Sequence, residues 1–212
     1  MEERKRPDAS LGPFCRPGGL SLTCLALETA QFAMHARLVD VGCGQGGTLR
    51  YLAEHTSFQA VGVEREPAFC DGRTILQGDA RSLPFAAGSF DGALLECSLS
   101  RMEEPERVLA EVFRILKPGG KLCVSDMTCQ TEEQRFDGVL GRLERRSTQE
   151  QRFREAGFVL TFFYDASEEL KEFWGQLLLD GRGCELPQLL GADRAALRRC
   201  RCGYGVWILQ KE

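Results

Sequence analysis

Apolar residues along this chain follow two alternating rhythms. Short runs bounded by turn-forming residues, at Leu38–Val41, Ala60–Val63, Thr74–Leu76, Gly92–Leu95, Lys121–Ser125, Val159–Phe163 and Gly205–Leu209, predict seven strands. Between the fourth and fifth, Val108, Val112 and Ile115 recur at helical spacing beside Leu109, Phe113 and Leu116. Pro105 sits where a first helical turn tolerates it, and Lys117, Pro118, Gly119 and Gly120 predict the stop. A second amphipathic stretch, Leu170, Phe173, Trp174 and Leu177, follows Ser167, whose hydroxyl is placed to cap it. Strands alternating with helices predict an α/β fold in which helices cover a parallel sheet.

Length and composition bound what this pattern builds. With 212 residues, 43% of them hydrophobic, the chain can bury one substantial core. The expected organisation is a flexible amino-terminal tail over residues 1–13, polar and broken by Pro7, Gly12 and Pro13, followed by one domain over 14–212. The tail has no apolar stretch long enough for a signal peptide or a membrane span. A net charge of −4 argues against a nucleic-acid partner, and Arg142, Arg145 and Arg146 read as a solvated helix face. Ten cysteines scattered through core-like segments, without an export signal, read as reduced thiols of a cytoplasmic protein with no membrane partner. The pattern fixes no oligomeric state, since the Leu177–Leu179 cluster suits an interface as well as a core edge.

The chemistry begins at residues 38–47, LVDVGCGQGG, where an apolar strand ends in a glycine-dense turn that runs into the helix-like TLRYLAEH. Glycine lets such a backbone turn sharply and lets a ligand approach where a Cβ would collide. The following helix offers unpaired N–H groups to an anion. Gly42, Gly44 and Gly47, with Glu64 downstream, also satisfy a dinucleotide fingerprint, so the glycines alone leave a nicotinamide oxidoreductase open. Three acids favour a different ligand. Asp40, at the strand end, suits an ammonium group; Glu64, ending AVGVE, can accept from both hydroxyls of a ribose; Asp79, in the run Gly78, Asp79, Ala80, can accept from an adenine amino group while the Ala80 N–H donates to the ring.

The successive segments DVGCGQG, VGVE, GDARSLPF, GSFDGALLE and RILKPGGKL resemble the motifs of class I S-adenosylmethionine-dependent methyltransferases of the small-molecule type, in that family's order. The resemblance covers residues 38–126 and more loosely 153–209, and is similar to bacterial enzymes of ubiquinone and menaquinone biosynthesis and to arsenite methyltransferases. It implies a Rossmann-like three-layer α-β-α sandwich with a mostly parallel seven-stranded sheet and an antiparallel last strand, here GYGVWILQK. It implies S-adenosylmethionine as cofactor and a small-molecule methyl acceptor as partner. The cofactor contacts it implies are Asp40, Gly42, Cys43 and Gly44 of the Asp40–Gly46 turn, Glu64 at the ribose, the neighbouring Arg65, Asp79 and Ala80 at the adenine, and the Glu96 backbone. RPGGLSLT, residues 16–23, resembles amino-terminal segments that cover the site. Two departures stand out: the span between Glu64 and Asp79 is short, predicting a more open adenine edge, and Arg101 stands where many relatives have histidine.

Methyl transfer needs alignment and electrostatic complementarity more than a dedicated base. Glu96, Cys97 and Arg101 are the catalytic candidates, with Glu103 and Glu104 nearby; His35 and His55 lie away from every motif. Cys97, Cys129, Cys200 and Cys202 would form a thiol site for a soft metal or metalloid such as arsenite if they converge, but cysteine is commonly a small buried hydrophobe, so no resident metal is expected. A non-catalytic S-adenosylmethionine-binding partner protein is a further alternative. An oxidoreductase is disfavoured because no second domain or placed acid–base pair accompanies the glycine turn. The acceptor pocket is expected among residues 14–24, 97–102, 127–140 and 180–202, with Phe14, Phe136 and Trp174 as possible walls.

Overall fold

The computed structural model describes residues 16–182, 190–192 and 194–212. The expected tail over 1–13, and Phe14, lie outside the described residues. In chain order the elements are α1 (Gly19–Ala30), β1 (Arg37–Val41), α2 (Gly47–His55), β2 (Gln59–Glu64), β3 (Ile75–Gln77), β4 (Phe90–Glu96), α3 (Pro105–Ile115), β5 (Leu116–Cys129), β6 (Gln134–Arg135), β7 (Arg142–Leu143), α4 (Arg146–Glu155), β8 (Phe158–Asp165), α5 (Ser167–Leu179), α6 (Arg194–Cys200) and β9 (Cys202–Lys211). All seven expected strands are present and form one sheet in the order β3-β2-β1-β4-β5-β9-β8. The first five pair in parallel, and β9 runs antiparallel to both β5 and β8.

The alternation of side chains along each strand divides the core into two layers. Leu38, Leu94, Cys123, Val206 and Ile208 pack with α1, α2, α5 and α6. Val39, Val41, Ala93, Leu95, Val124, Trp207 and Leu209 pack with α3 and α4 on the other face. A sheet buried on both faces explains why its strands read as continuous apolar runs. Among the described residues no helix is long and apolar enough to cross a membrane.

The helix stops where expected: α3 ends at Ile115, Leu116 is already extended, and the Lys117–Pro118–Gly119–Gly120 run lies inside β5. Pro118 biases Lys117 toward extended backbone, so stop and strand start coincide. Two other local expectations change. Ser167 does not cap α5 through its hydroxyl. The Asp165 carboxylate accepts from both the Ser167 N–H, at 3.0 Å, and its Oγ–H, at 2.5 Å. Arg142 is not on a solvated helix face either; it lies in β7, donates to the Leu99 carbonyl at 3.0 Å and sits beside Glu144.

Candidate functional site

The carboxyl ends of β1, β2 and β4 meet around the glycine turn. Gly42, Gly44 and Gly46 adopt φ of 78°, 53° and 70°, the left-handed region that favours glycine. A Cβ on Gly42 would stand 2.8 Å from the Met102 Cε and 2.9 Å from the Ser98 Cβ, whereas one on Gly44 would meet nothing within 4 Å. The first glycine therefore allows close packing and the second opens outward. Gly42 N–H to the Val63 carbonyl (2.8 Å) and Gly46 N–H to the Cys43 carbonyl (3.0 Å) fasten the turn. Glu64 buttresses it, accepting from the Gly44 N–H at 2.9 Å and from the Arg65 and Glu66 N–H groups at 2.8 and 3.0 Å. The Arg65 side chain is exposed. Cys43 turns inward, where its sulfur fills the space a Cβ on Gly62 would need.

Strand alternation builds the charged floor. Asp40 shares the face of Leu38, Glu96 that of Leu94, Ser125 that of Cys123 and Tyr204 that of Val206, all toward α1. A polar row thus crosses four adjacent strands beneath the amino-terminal segment. Arg16 is set into this row: its Nη2 donates to Glu96 Oε2 at 3.0 Å, Thr23 Oγ1 at 2.6 Å and Thr48 Oγ1 at 2.9 Å. Glu96 also accepts from the hydroxyls of Thr23 and Thr48, each at 2.6 Å. The site-covering role expected for residues 16–23 is consistent with these bonds, which fix the start of α1 onto β4 and α2.

This floor is short of positive charge. Asp40 is 3% exposed. Burial, then the neighbouring charge of Glu96, pushes its carboxyl well above the usual range, and Arg16 only partly offsets them. Burial works against the Arg16 charge too, but Glu96 and its neighbours hold that guanidinium above its ordinary value. Farther along the row, Tyr204 donates to Ser125 Oγ at 3.2 Å, and burial drives its phenol well up.

At the opposite end of the crevice the acid is directly paired. Arg81 grips Asp79 through Nε (3.0 Å to Oδ1, 3.2 Å to Oδ2), Nη2 (2.7 Å to Oδ2) and its backbone N–H (2.9 Å to Oδ1). Its Nη1 reaches Glu104 Oε1 at 2.5 Å and Glu103 at 3.8 Å. The Arg81 hydrogen bonds pull Asp79 down to about 2. Ala80 beside it is half-buried. The span after Glu64 is indeed short, holding one 3-10 turn at Pro67–Phe69, but Arg81 and Glu104 bridge the edge it was expected to leave open. Glu103 and Glu104 thus serve as partners of Arg81 at the surface.

The catalytic candidates fare unequally. Glu96 lies in the floor, but three donors already occupy it. Cys97 follows it at φ 52°, with its thiol pushed up to about 12 by burial and Asp126, so it is no thiolate near neutrality. Arg101 is exposed at the end of a 3-10 turn. His35 and His55 are exposed, and His55 stacks on Tyr51. The four expected thiols do not converge. Cys129 and Cys202 face each other across β5 and β9 near Cys200, whereas Cys97 interacts with Asp126, Arg101 and Tyr204. Among the described residues no three His, Cys, Asp or Glu side chains group closely enough to hold a metal ion. Phe136 is buried in the core and the half-buried Trp174 packs against it.

Sequence reasoning missed Arg16, Thr23, Thr48, Arg81 and Tyr204. Arg16 carried a signal: it is the only Lys or Arg from residue 16 to 36, ahead of a strand row that buries two acids. Arg81 carried another, since an arginine two residues after a loop aspartate can fold back on it.

Comparison with known proteins agrees with this geometry. A sequence profile described as a methyltransferase domain matches residues 39–124. The chain is 33% identical over 105 residues to demethylmenaquinone methyltransferase of Renibacterium salmoninarum, covering 45% of this chain and 43% of that protein. It is 35% identical over 128 residues to phthiotriol/phenolphthiotriol dimycocerosates methyltransferase of Mycobacterium leprae, covering 54% and 47%. The chain thus spans less than half the length of these curated relatives. Among solved structures it matches the cyclase SpnF with a TM-score of 0.74 and 26% identity, covering 90% of this chain and 79% of that one.

Proposed function

We propose that this chain is a class I, Rossmann-like S-adenosylmethionine-dependent methyltransferase that transfers a methyl group from that cofactor to a small-molecule acceptor, a reading supported by the methyltransferase-domain match and the relatives above. The observation that carries the reading is the charge-deficient crevice: Asp40, Glu64 and Glu96 end three adjacent strands around an outward-open Gly44, with Arg16 packed among them as counter-ion. The residues fit the cofactor, because a ligand bearing an ammonium and a sulfonium supplies the missing positive charge. In this reading Asp40 and Glu96 face the cationic end, the Gly42–Gly46 backbone and the α2 amino terminus line the middle, Glu64 accepts from the ribose hydroxyls, and Asp79 and Ala80 recognise the adenine.

The bound cofactor supplies an already activated methyl group. This chain's residues orient and desolvate. None of Glu96, Cys97 and Arg101 is poised as a base, since Glu96 already accepts from three donors, Cys97 keeps its proton and arginine does not lose one. The acceptor's own nucleophile therefore carries the burden. The curated relatives above are named for acting on a demethylmenaquinone and on phthiotriol lipids. We place the acceptor here in the same broad class, an apolar small molecule.

Calorimetric titration with S-adenosylmethionine, S-adenosylhomocysteine and NAD tests the cofactor assignment, on the protein and on Glu64→Ala and Asp79→Ala. Micromolar binding of both adenosyl ligands, weakened in both variants, with no NAD binding, is expected. Binding of NAD alone, or of nothing, overturns it.

A further inference from the structure

Cys129 and Cys202 are the last partners in the register of β5 with β9. In an antiparallel ladder a residue points its N–H and C=O either at its cross-strand partner or away from it. The Cys129 N–H points away: it donates to the Glu144 carbonyl at 2.9 Å, on the β7 side. The next residue, Gln130, turns its N–H the other way, to the Cys200 and Arg201 carbonyls, each at 3.1 Å. Cys129 and Cys202 are therefore a non-hydrogen-bonded pair, with Cα atoms about 4.5 Å apart and side chains on one face of the sheet. That spacing lies inside the roughly 4.4–6.8 Å that a disulfide spans. Cys200 stands outside the ladder: it ends α6, and its thiol donates to Gln134 Oε1 at 3.8 Å. Cys129 lines a cavity of about 480 Å³ with Thr128, Gln130 and Tyr204, and Cys202 is half-buried, so a small oxidant has a route to the pair.

We propose that Cys129 and Cys202 are an oxidative modification site, at which hydrogen peroxide forms a cross-strand disulfide that closes the end of the β5–β9 ladder. The Cys202 thiolate attacks the peroxide, breaking its O–O bond to give a sulfenic acid and one water. The Cys129 thiolate then attacks that sulfur: the S–S bond forms, the S–O bond breaks, and the departing hydroxide takes up the proton of Cys129 as a second water. Two thiols lose two electrons, and one peroxide is reduced to two waters. Burial holds the Cys129 and Cys202 thiols up at about 11 and 12, so little of either is thiolate near neutrality and the reaction is slow there.

The test treats the reduced full chain with hydrogen peroxide, blocks the remaining thiols with N-ethylmaleimide and maps the tryptic peptides without reductant. Trypsin cuts after Arg201 and so separates Cys200 from Cys202. The expected result is the loss of two of the ten thiols and a linked peptide pair joining Cys129 to Cys202. The melting temperature should rise by about 5 °C, reversibly with dithiothreitol, because the bridge closes a long loop. The rate should climb about tenfold per pH unit from about pH 7 to 9, as thiolate forms. Cys200→Ser should keep the link and Cys202→Ser should abolish it. A main product that links Cys200 to either partner, oxidation of single cysteines without a link, or no loss of thiols overturns the proposal. If Cys202→Ser does not melt cooperatively, the map of the unaltered protein decides alone.

Discussion

Two aspartates at the same edge of the same sheet behave in opposite ways. Asp40, in β1, is almost fully buried beside a second acid, and its carboxyl is pushed well up. Asp79, just past β3, has a side chain 43% exposed and the Arg81 guanidinium bonded directly to it, and is pulled down to about 2. Asp40 has only a share of Arg16, whose hydrogen bonds go to Glu96 and two threonines. Asp79 is bonded directly by the Arg81 guanidinium and backbone N–H. In the proposed reading the Asp40 end meets a ligand by the charge it lacks, and the Asp79 end meets it by hydrogen bonding.

The sharpest way to break this comparison is to remove the cation at the buried end. Arg16→Leu leaves Glu96 and Asp40 without a counter-charge and should cost about 3 kcal/mol of stability in chemical denaturation near neutral pH, because it orphans a buried ion pair. Adding Glu96→Gln should restore more than half of that loss. A cost under about 1 kcal/mol, the range of solvated pairs, would show that the floor is wetter than its burial implies.

Asp40→Asn probes the same end from the acid side. The unfolded chain releases this proton near pH 4, whereas the folded chain keeps it to higher pH, so the folded state binds more protons and loses stability as pH rises above about 4. Asparagine cannot ionise. The variant's stability relative to the unaltered protein should therefore climb by up to about 1.4 kcal/mol per pH unit through that window, while its affinity for S-adenosylmethionine falls. A relative stability that stays flat between about pH 4 and 7 would mean that Asp40 ionises as an ordinary carboxylate.

What the sequence revealed follows the same division. The seven strands and the glycine turn were legible because each is a local pattern: a run of apolar residues, or glycines where φ is positive, as at Gly42, Gly44 and Gly46. Asp40, Glu64 and Asp79 could be placed at strand ends for the same reason. Partners distant in sequence were not legible. Arg16 meets Glu96 eighty positions away, and Tyr204 meets Ser125 across a strand pair that only the antiparallel return of β9 creates. The thiol alternative was limited in the same way: Cys129 and Cys202 do meet, but by cross-strand register, with thiols pushed up to about 11 and 12 by burial, while Cys97 belongs to another neighbourhood.

Asp79→Asn gives the smallest effect and completes the comparison. Its depressed value has the opposite sign to that of Asp40: the Arg81 pairing contributes stability that is fully present above about pH 4 and is lost as pH falls through about 2. More than a third of the side chain is open to solvent, so screening reduces the contribution to less than about 1 kcal/mol near neutrality. The variant should therefore be slightly destabilised at low salt. The gap should shrink in about 1 M salt, where the screening length is about 3 Å, and close below about pH 2. Arg16→Leu should show little such salt response, because its partners are shielded from the solvent ions. An Asp79→Asn penalty that is large and indifferent to salt would place both aspartates in the same buried regime, and the proposed division of labour between charge selection at one end and hydrogen-bond selection at the other would no longer stand.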